Sequence, residues 1–349
     1  MNYRVLVLLF FAPLVLNAQT PPTDLVEELP APFPLTLVLE AAYGNTAGRW
    51  RPDWPLDIPP DAFALPGAAI TLIRDTGESY CLARDSRGRL TDFPVVLPVG
   101  LAQVTASYHA GGGITNFTLQ VPAEDAAAGI TWTAQFPLPY VPGEGTPPAK
   151  PEEAVKVQND AQIFYVLFSE GGAEIAETWF DPWGAFAAYF STRIERRTGE
   201  PWRILSLKDR DYRYENGGNL SQSSGDGGLF SAVYSAQGRP LYWVRAPASE
   251  DTPETRYYSF QWDEQGLLVR LRDMTPAPLE SADIVISPGE AVETAVEAVE
   301  PPPVDFRYEY EFDRRGNWIL RREIALVRQD RLLIPAYSRE IRRQITLGD

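Results

Sequence analysis

The sequence predicts an all-β protein: an N-terminal antiparallel sandwich-like domain followed by an extended meander of β-hairpin repeats. Three observations lead to this prediction. A four-residue corner that ends in glycine occurs six times, and short β-branched or aromatic runs alternate with Gly, Pro and Asp clusters. No long helical period occurs in the mature chain. The strand-like runs of the first domain are residues 35–42, 69–73, 102–108, 114–121 and 130–136.

The N-terminal segment has the pattern of a signal peptide. Arg4 is followed by an apolar run over residues 5–16 and by the small residue Ala18, which suits cleavage. The run is too short to cross about 30 Å of hydrocarbon as a helix. We therefore expect residues 1–18 to be removed and the protein to be exported to the periplasm or surface of a bacterium. No later stretch is apolar enough for a helical span, so we expect no transmembrane segment after signal cleavage.

Length and composition predict two domains. The mature chain is longer than the usual extent of one hydrophobic core. Residues 141–156 are rich in Pro, Gly and acidic residues and read as a linker between a sandwich-like domain at 19–140 and a repeat domain at 157–349. Residues 274–304 are acidic and contain no basic residue, which predicts a disordered insertion. The alternative for this insertion is a docking segment for a basic partner.

Charge and rare residues exclude several functions. The net charge of −16 opposes binding to nucleic acid. Cys81 is the only cysteine, so an internal disulfide cannot form, and His109 is the only histidine, which excludes histidine-rich zinc sites. The G-x-S-x-G pattern of an esterase nucleophile is absent. We accordingly predict no cofactor, no metal site and no catalytic residue.

The repeated corner has the residues that a tight β-hairpin turn requires. An aspartate at its first position can accept hydrogen bonds from backbone N–H groups two residues on, and glycine at its fourth accepts the left-handed conformation that closes a short hairpin loop with a bulge. The glycines of the six copies are Gly88, Gly184, Gly218, Gly238, Gly266 and Gly316.

The clearest copy also predicts a strand register. With Asp313 opposite Asn317, Phe312 faces Trp318 on one side of the hairpin. The same register places Tyr310 opposite Leu320, and on the other side Glu309 opposite Arg321. Aromatic pairs on one face and an ion pair on the other are typical of a half-buried hairpin.

At these residues the chain resembles the YD-repeat, or RHS-like, family over about residues 175–325. The family pattern is an aromatic residue, Asp, two variable residues and Gly, often followed by Asn or Arg. Residues 312–317, FDRRGN, match it well, and residues 234–239, YSAQGR, match it loosely. The resemblance implies an exported hairpin-repeat scaffold and carries over no catalytic residue.

The aromatic surplus suggests a second function. Flat aromatic faces on a rigid sheet can stack on sugar rings, and the candidates are the tryptophans near turns or strand ends: Trp183, Trp202, Trp243 and Trp262. The leading hypothesis is a non-enzymatic cell-envelope scaffold or interaction protein whose partner is an unknown protein or glycan of the envelope. The alternative is a glycan-binding or glycan-processing protein. An outer-membrane barrel is disfavoured because the sequence ends in Gly348-Asp349, without a terminal aromatic residue.

Overall fold

The computed structural model describes most of the chain after residue 32. It covers residues 33–44, 63, 65, 67–97, 100–121, 129–142, 147–195, 203–207, 210–215, 219–225, 228–246, 255–275, 304–329 and 332–347. The predicted signal peptide and most of the acidic insertion lie outside these residues, as does Trp202. The limits of the predicted signal peptide, linker and insertion stay predictions.

The described part of Pro34–Asp349 contains one α-helix and twenty strands. The helix α1 is Leu35–Gly44, and a short 3-10 turn occupies Pro151–Glu153. The strands are β1 Ala68–Arg74, β2 Ser79–Arg84, β3 Leu90–Leu97, β4 Gly100–Tyr108, β5 Ile114–Val121, β6 Ile130–Tyr140, β7 Val155–Gln158, β8 Ile163–Gly171, β9 Glu174–Phe180, β10 Phe186–Glu195, β11 Arg203–Leu207, β12 Arg210–Tyr214, β13 Leu220–Ser224, β14 Leu229–Tyr234, β15 Pro240–Ala246, β16 Arg256–Trp262, β17 Leu268–Asp273, β18 Asp305–Phe312, β19 Trp318–Gln329 and β20 Leu332–Leu347.

The sheet closes on itself. Each strand pairs antiparallel with the next strand along the chain. The last strand, β20, also pairs antiparallel with β1, from Ala68 opposite Leu347 to Arg74 opposite Ile341. A sheet whose first and last strands pair is a closed up-and-down barrel, which has no free edge.

The long strand β20 makes the closure possible. Its first part pairs with β19 and its last part with β1, and only Ile341 and Arg342 pair with both neighbours. The neighbours of β20 are thus strongly displaced along the strand, as the stagger of a closed barrel requires.

The two faces of the barrel wall differ in polarity. Most inward residues are large and apolar, and Phe117, Leu119 and Trp179 are almost fully buried. Outward residues of β4–β7 are mostly hydroxyls and amides, such as Thr118 and Gln120, which alternate with the inward residues on β5. The wall therefore has a mostly apolar inner face and, over β4–β7, a polar outer face.

Helix α1 lies inside the barrel. Its residues Leu35, Val38 and Leu39 have no exposed surface. It packs against β3 and β11, and its hydrogen bonds reach β5 and β9 as well. Since these strands stand in different parts of the barrel wall, the helix can contact all of them only from the interior. A helix that is buried all round carries apolar residues on every face.

These observations correct the predicted fold. The sandwich-like domain followed by a hairpin meander is wrong, because strands on both sides of residues 141–156 belong to one closed sheet. The strand predicted over residues 35–42 is helix α1. A short run with only Thr36 and Glu40 as polar residues has no clear period that separates a buried strand from a buried helix, so the sequence leaves this choice open.

The expectation that the mature chain has no transmembrane segment is also overturned. It rested on helix length and on the last residues of the sequence. A closed antiparallel barrel satisfies its backbone groups within the wall, which is the condition under which strands can cross a bilayer. The exclusion drawn from the sequence therefore does not hold.

Among the residues described, no helix is long and apolar enough to cross a membrane.

The repeated corners connect neighbouring strands of the barrel. In the copy at Gly316 the glycine N–H donates to the carbonyl of Asp313, and the N–H of Asp313 donates to the carbonyl of Asn317. Gly316 has φ of 81°, the left-handed conformation that the spacing predicts. The copies at Gly88, Gly184, Gly238 and Gly266 share this bonding and the positive φ.

The register of the last corner differs from the prediction by one residue beyond the turn. Phe312 faces Trp318 as predicted, but Tyr310 faces Arg321 and Glu309 faces Arg322. A bulge between Glu311 and Phe312 shifts the pairing. One extra residue on one strand of a pair has this effect.

The two faces of β5 provide a test of the barrel's inside and outside. We expect Leu119→Ala to lower the free energy of unfolding by about 2–5 kcal/mol, because Leu119 is wholly buried against its inward neighbours. The neighbouring outward residue is the matched control, and Gln120→Ala should change stability by no more than about 0.5 kcal/mol. Urea denaturation measures both, and equal losses would contradict the assignment of faces.

Candidate functional site

The carboxylate of Glu177, on the inner face of β9, holds the start of α1. The backbone N–H of Leu35 donates to Oε2 at 2.8 Å, and the N–H of Thr36 donates to Oε1 at 2.7 Å. The hydroxyl of Thr36 also donates to Oε1, and the indole N–H of Trp179 donates to Oε2 at 3.2 Å. A carboxylate at this place satisfies N–H groups that a helix leaves unpaired and complements the helix dipole.

Burial dominates the titration of Glu177. The side chain has no exposed surface, and this burial raises the pKa of its carboxyl group above the usual value. The hydrogen bonds from Thr36, Leu35 and Trp179 act in the opposite direction and stabilise the charged form. Glu177 is therefore a buried acid whose oxygens are occupied by the helix.

Two further contacts fasten the middle and the end of α1. Oε1 of Glu40 accepts a hydrogen bond from the backbone N–H of Ile204 on β11 at 3.0 Å. The hydroxyl of Tyr43 accepts from the N–H of Ile114 at 2.7 Å and donates to the carbonyl of Tyr140 at 3.0 Å. The helix is thus bonded to strands β5, β6, β9 and β11.

Aromatic side chains pack in the interior beside the helix. Trp179 packs edge-on against Phe190, with ring centroids 6.1 Å apart. Farther around the barrel, Trp243 packs edge-on against both Phe230 and Phe260, at 5.5 and 4.9 Å. These contacts occupy interior space around much of the wall.

A buried charged cluster lies on the inner side of β18–β20. The guanidinium of Arg321 stands over the ring of Tyr308 at 4.8 Å, and that of Arg343 stands over Trp318 at 4.8 Å. Glu323 is buried in the same region. Burial, followed by the charge of Glu323, raises the pKa of Tyr308 well above its usual value, so this hydroxyl stays protonated. Each of these two cations lies against an aromatic face, which stabilises a buried charge.

The four tryptophans predicted as binding residues are not brought together. Trp183, in the turn between β9 and β10, is 87% exposed. Trp243 is 1% exposed on the inner face, and Trp262 is half-buried, with its indole N–H donating to the carbonyl of Pro240 at 2.8 Å. Trp202 lies outside the described residues. Of the described three, Trp183 is the one whose ring is open to solvent.

Other exposed rings lie near Trp183 and were not predicted from the sequence. Phe186 is 65% exposed and Tyr189 is 53% exposed, both on β10, and Tyr165 on β8 is also exposed. Phe186 pairs with Phe180, and Phe180 pairs with Tyr165, so these three share one row on the outer face. The alternation of side chains along a strand could have indicated this face. Since Ile175, Glu177 and Trp179 of β9 face inward, the residues between them must face outward.

The other chemical candidates have structural roles. His109 lies in a turn, where its Nδ1 accepts a hydrogen bond from the N–H of Gly111 at 3.1 Å. Burial raises the pKa of the Cys81 thiol, which opposes thiolate reactivity. Oδ1 of Asp181 accepts from two backbone N–H groups of its own turn. Over the described part of the chain, no group of three or more His, Cys, Asp or Glu side chains is arranged to hold a metal ion.

Comparison with known proteins gives distant likenesses in structure alone. No protein-family model matches the chain, and no curated protein matches it. A porin-like protein from Bacteroides uniformis is 11% identical with a TM-score of 0.31, covering 80% of this chain and 98% of its own. The Photorhabdus luminescens Tc holotoxin pore is 11% identical with a TM-score of 0.27, covering 80% of this chain and 17% of its own.

A TcdB2-TccC3 structure gives a similar result, with 11% identity and a TM-score of 0.27, covering 74% of this chain and 17% of its own. Of the predicted YD-repeat resemblance, a distant structural likeness to Tc toxin components is what the comparison supports.

The bond between Glu177 and α1 can be tested by substitution. We expect Glu177→Gln to lower the free energy of unfolding by about 1–3 kcal/mol, because an amide NH2 group would face backbone donors that now have an acceptor. The matched control is Glu174→Gln on the outer face of the same strand, which should have an effect below about 0.5 kcal/mol. Urea denaturation of both variants measures the difference, and an unchanged midpoint for Glu177→Gln would contradict the assigned role.

Proposed function

We propose that this chain is an exported, non-enzymatic β-barrel of the bacterial cell envelope that acts as an interaction scaffold through its outer wall. The observation that carries the proposal is helix α1, which is buried inside the barrel and bonded to Glu177, Ile204 and Ile114 on three strands. A barrel whose interior holds its own helix and aromatic side chains offers its outer surface to partners. The closed barrel is in accord with the exported location predicted from the N-terminal segment.

The acidic residues of the corners support a non-enzymatic role. Asp313 accepts hydrogen bonds from the N–H groups of Arg315 and Asn317, and the bond from Asn317 lowers the pKa of the Asp313 carboxyl group. Asp85 and Asp263 accept comparable bonds within their turns. Carboxylates held in turns as acceptors are poorly suited to act as general acids, which must donate a proton.

The second candidate function is glycan binding at the outer wall. The observation in its favour is the exposed ring of Trp183 beside the exposed Phe186 and Tyr189. Exposed aromatic faces on a rigid sheet are suited to stacking on sugar rings. This candidate is compatible with the first, because both use the outside of the barrel.

A barrel whose interior is filled should not conduct ions, and electrical recording tests this consequence of the proposal. The mature chain, residues 19–349, is added to planar lipid bilayers, with an open porin as the positive control. We expect no steady protein-dependent conductance, because α1 and the buried rings of Trp179 and Trp243 occupy the interior. Reproducible ohmic steps from the mature chain would overturn the proposal.

A further inference from the structure

An aromatic strip runs across the outer wall from β8 to β10. We define it as Tyr165, Phe180, Phe186 and Tyr189. Tyr165, Phe180 and Phe186 form one cross-strand row, and Tyr189 stands in the next outward row, where it pairs with Thr178. Three of the four rings are exposed, and the exposed Trp183 lies in the turn between Phe180 and Phe186.

A polar row continues the aromatic strip around the wall. Tyr165 pairs with Lys156 on β7, Lys156 pairs with Gln135 on β6, and Gln135 pairs with Asn116 on β5. The next outward row contains Thr133 and other hydroxyl and amide side chains of these strands. Side chains with both donors and acceptors therefore stand beside the rings on one continuous surface.

The charge of this surface differs from that of the chain. The chain carries a net charge of −16. The outward residues of β5–β10 in the Tyr165 row and in the rows on either side of it contain one cation, Lys156, and no carboxylate. An almost uncharged surface with rings and amides is complementary to an uncharged ligand that has both apolar faces and hydroxyl groups.

The length of the surface suits an extended ligand. From Asn116 on β5 to Phe186 on β10 there are five strand spacings of about 4.8 Å, or about 24 Å along the wall. Neighbouring strands hold their side chains in register, so the rings and amides form a regular series. Several sugar rings in a row can lie on such a series.

We propose that the aromatic strip and its polar row bind a linear, uncharged glycan. The rings of Phe186 and Tyr189 stack on the C–H faces of sugar units, and Gln135 and Asn116 exchange hydrogen bonds with the hydroxyl groups. The inference deepens the proposed function, because it names the ligand class of the outer wall and rests on that wall being the interacting surface.

Titration calorimetry with two probes tests the proposal. The probes are β-1,4-linked hexasaccharides of glucose and of N-acetylglucosamine, added to the mature chain. We expect saturable binding of at least one of them. Removing both exposed rings, in Phe186→Ala/Tyr189→Ala, should weaken that binding by roughly fourfold to a hundredfold, since each stacked ring accounts for roughly two- to tenfold in affinity.

A matched control separates the strip from a general aromatic effect. Tyr242 on β15 faces outward, is 52% exposed and lies outside the strip, so Tyr242→Ala should change the affinity by less than about twofold. Unchanged urea midpoints show that the variants are folded. Absence of binding to both hexasaccharides would overturn the proposal, as would an affinity that the double variant leaves unaltered.

A membrane surface is the competing ligand for exposed rings. Flotation with neutral phosphatidylcholine vesicles tests it, and vesicle binding that is lost in Phe186→Ala/Tyr189→Ala would assign the strip to lipid and overturn the glycan proposal. Different results would contradict the proposed occupied barrel and the proposed glycan binding. Conductance of the mature chain would contradict the occupied barrel, whereas missing glycan binding would leave the occupied barrel standing.

Discussion

The pairing of β1 with β20 is the constraint on which the rest of the structure depends. It joins the two ends of the sheet through Ala68 to Arg74 and Ile341 to Leu347, and it gives every strand two neighbours. A closed wall satisfies its backbone hydrogen bonds without a free edge, but it also encloses a space lined by one face of each strand. That space must then be occupied by apolar and paired groups.

Helix α1 occupies much of this enclosed space, which leaves the outer wall as the surface available to partners. Its residues Leu35, Val38 and Leu39 have no exposed surface. The N–H groups of Leu35 and Thr36, which the helix itself cannot satisfy, donate to the carboxylate of Glu177. The helix and the inner rings leave ligand recognition to the outer wall. There Tyr165, Phe186 and a series of amides form the surface that we assign to a glycan.

Local features could be predicted from the sequence, and long-range ones could not. The corner at Gly316 and the pair Phe312–Trp318 follow from residues next to the turn, whereas the bulge moves Tyr310 from Leu320 to Arg321.

Closure depends on strands at opposite ends of the chain, for which no nearby residue gives a signal. Residues 35–42 are mostly apolar, with Thr36 and Glu40 as the polar exceptions. They were assigned to a strand, because the burial that favours a helix comes from the barrel. Trp183 and Trp243 show the same limit: both lie near turns in sequence, yet one is outside the barrel and the other inside.

Hydrogen exchange of the α1 amides reports directly on whether the closed barrel is occupied by its helix. We expect amides of residues 38–44 to exchange with a free energy close to that of global unfolding, as do those of the β9 segment Glu174–Phe180 that holds the helix. Exchange of the α1 amides at rates close to those of an unstructured peptide, while β9 stays protected, would show that the helix is not held inside the barrel.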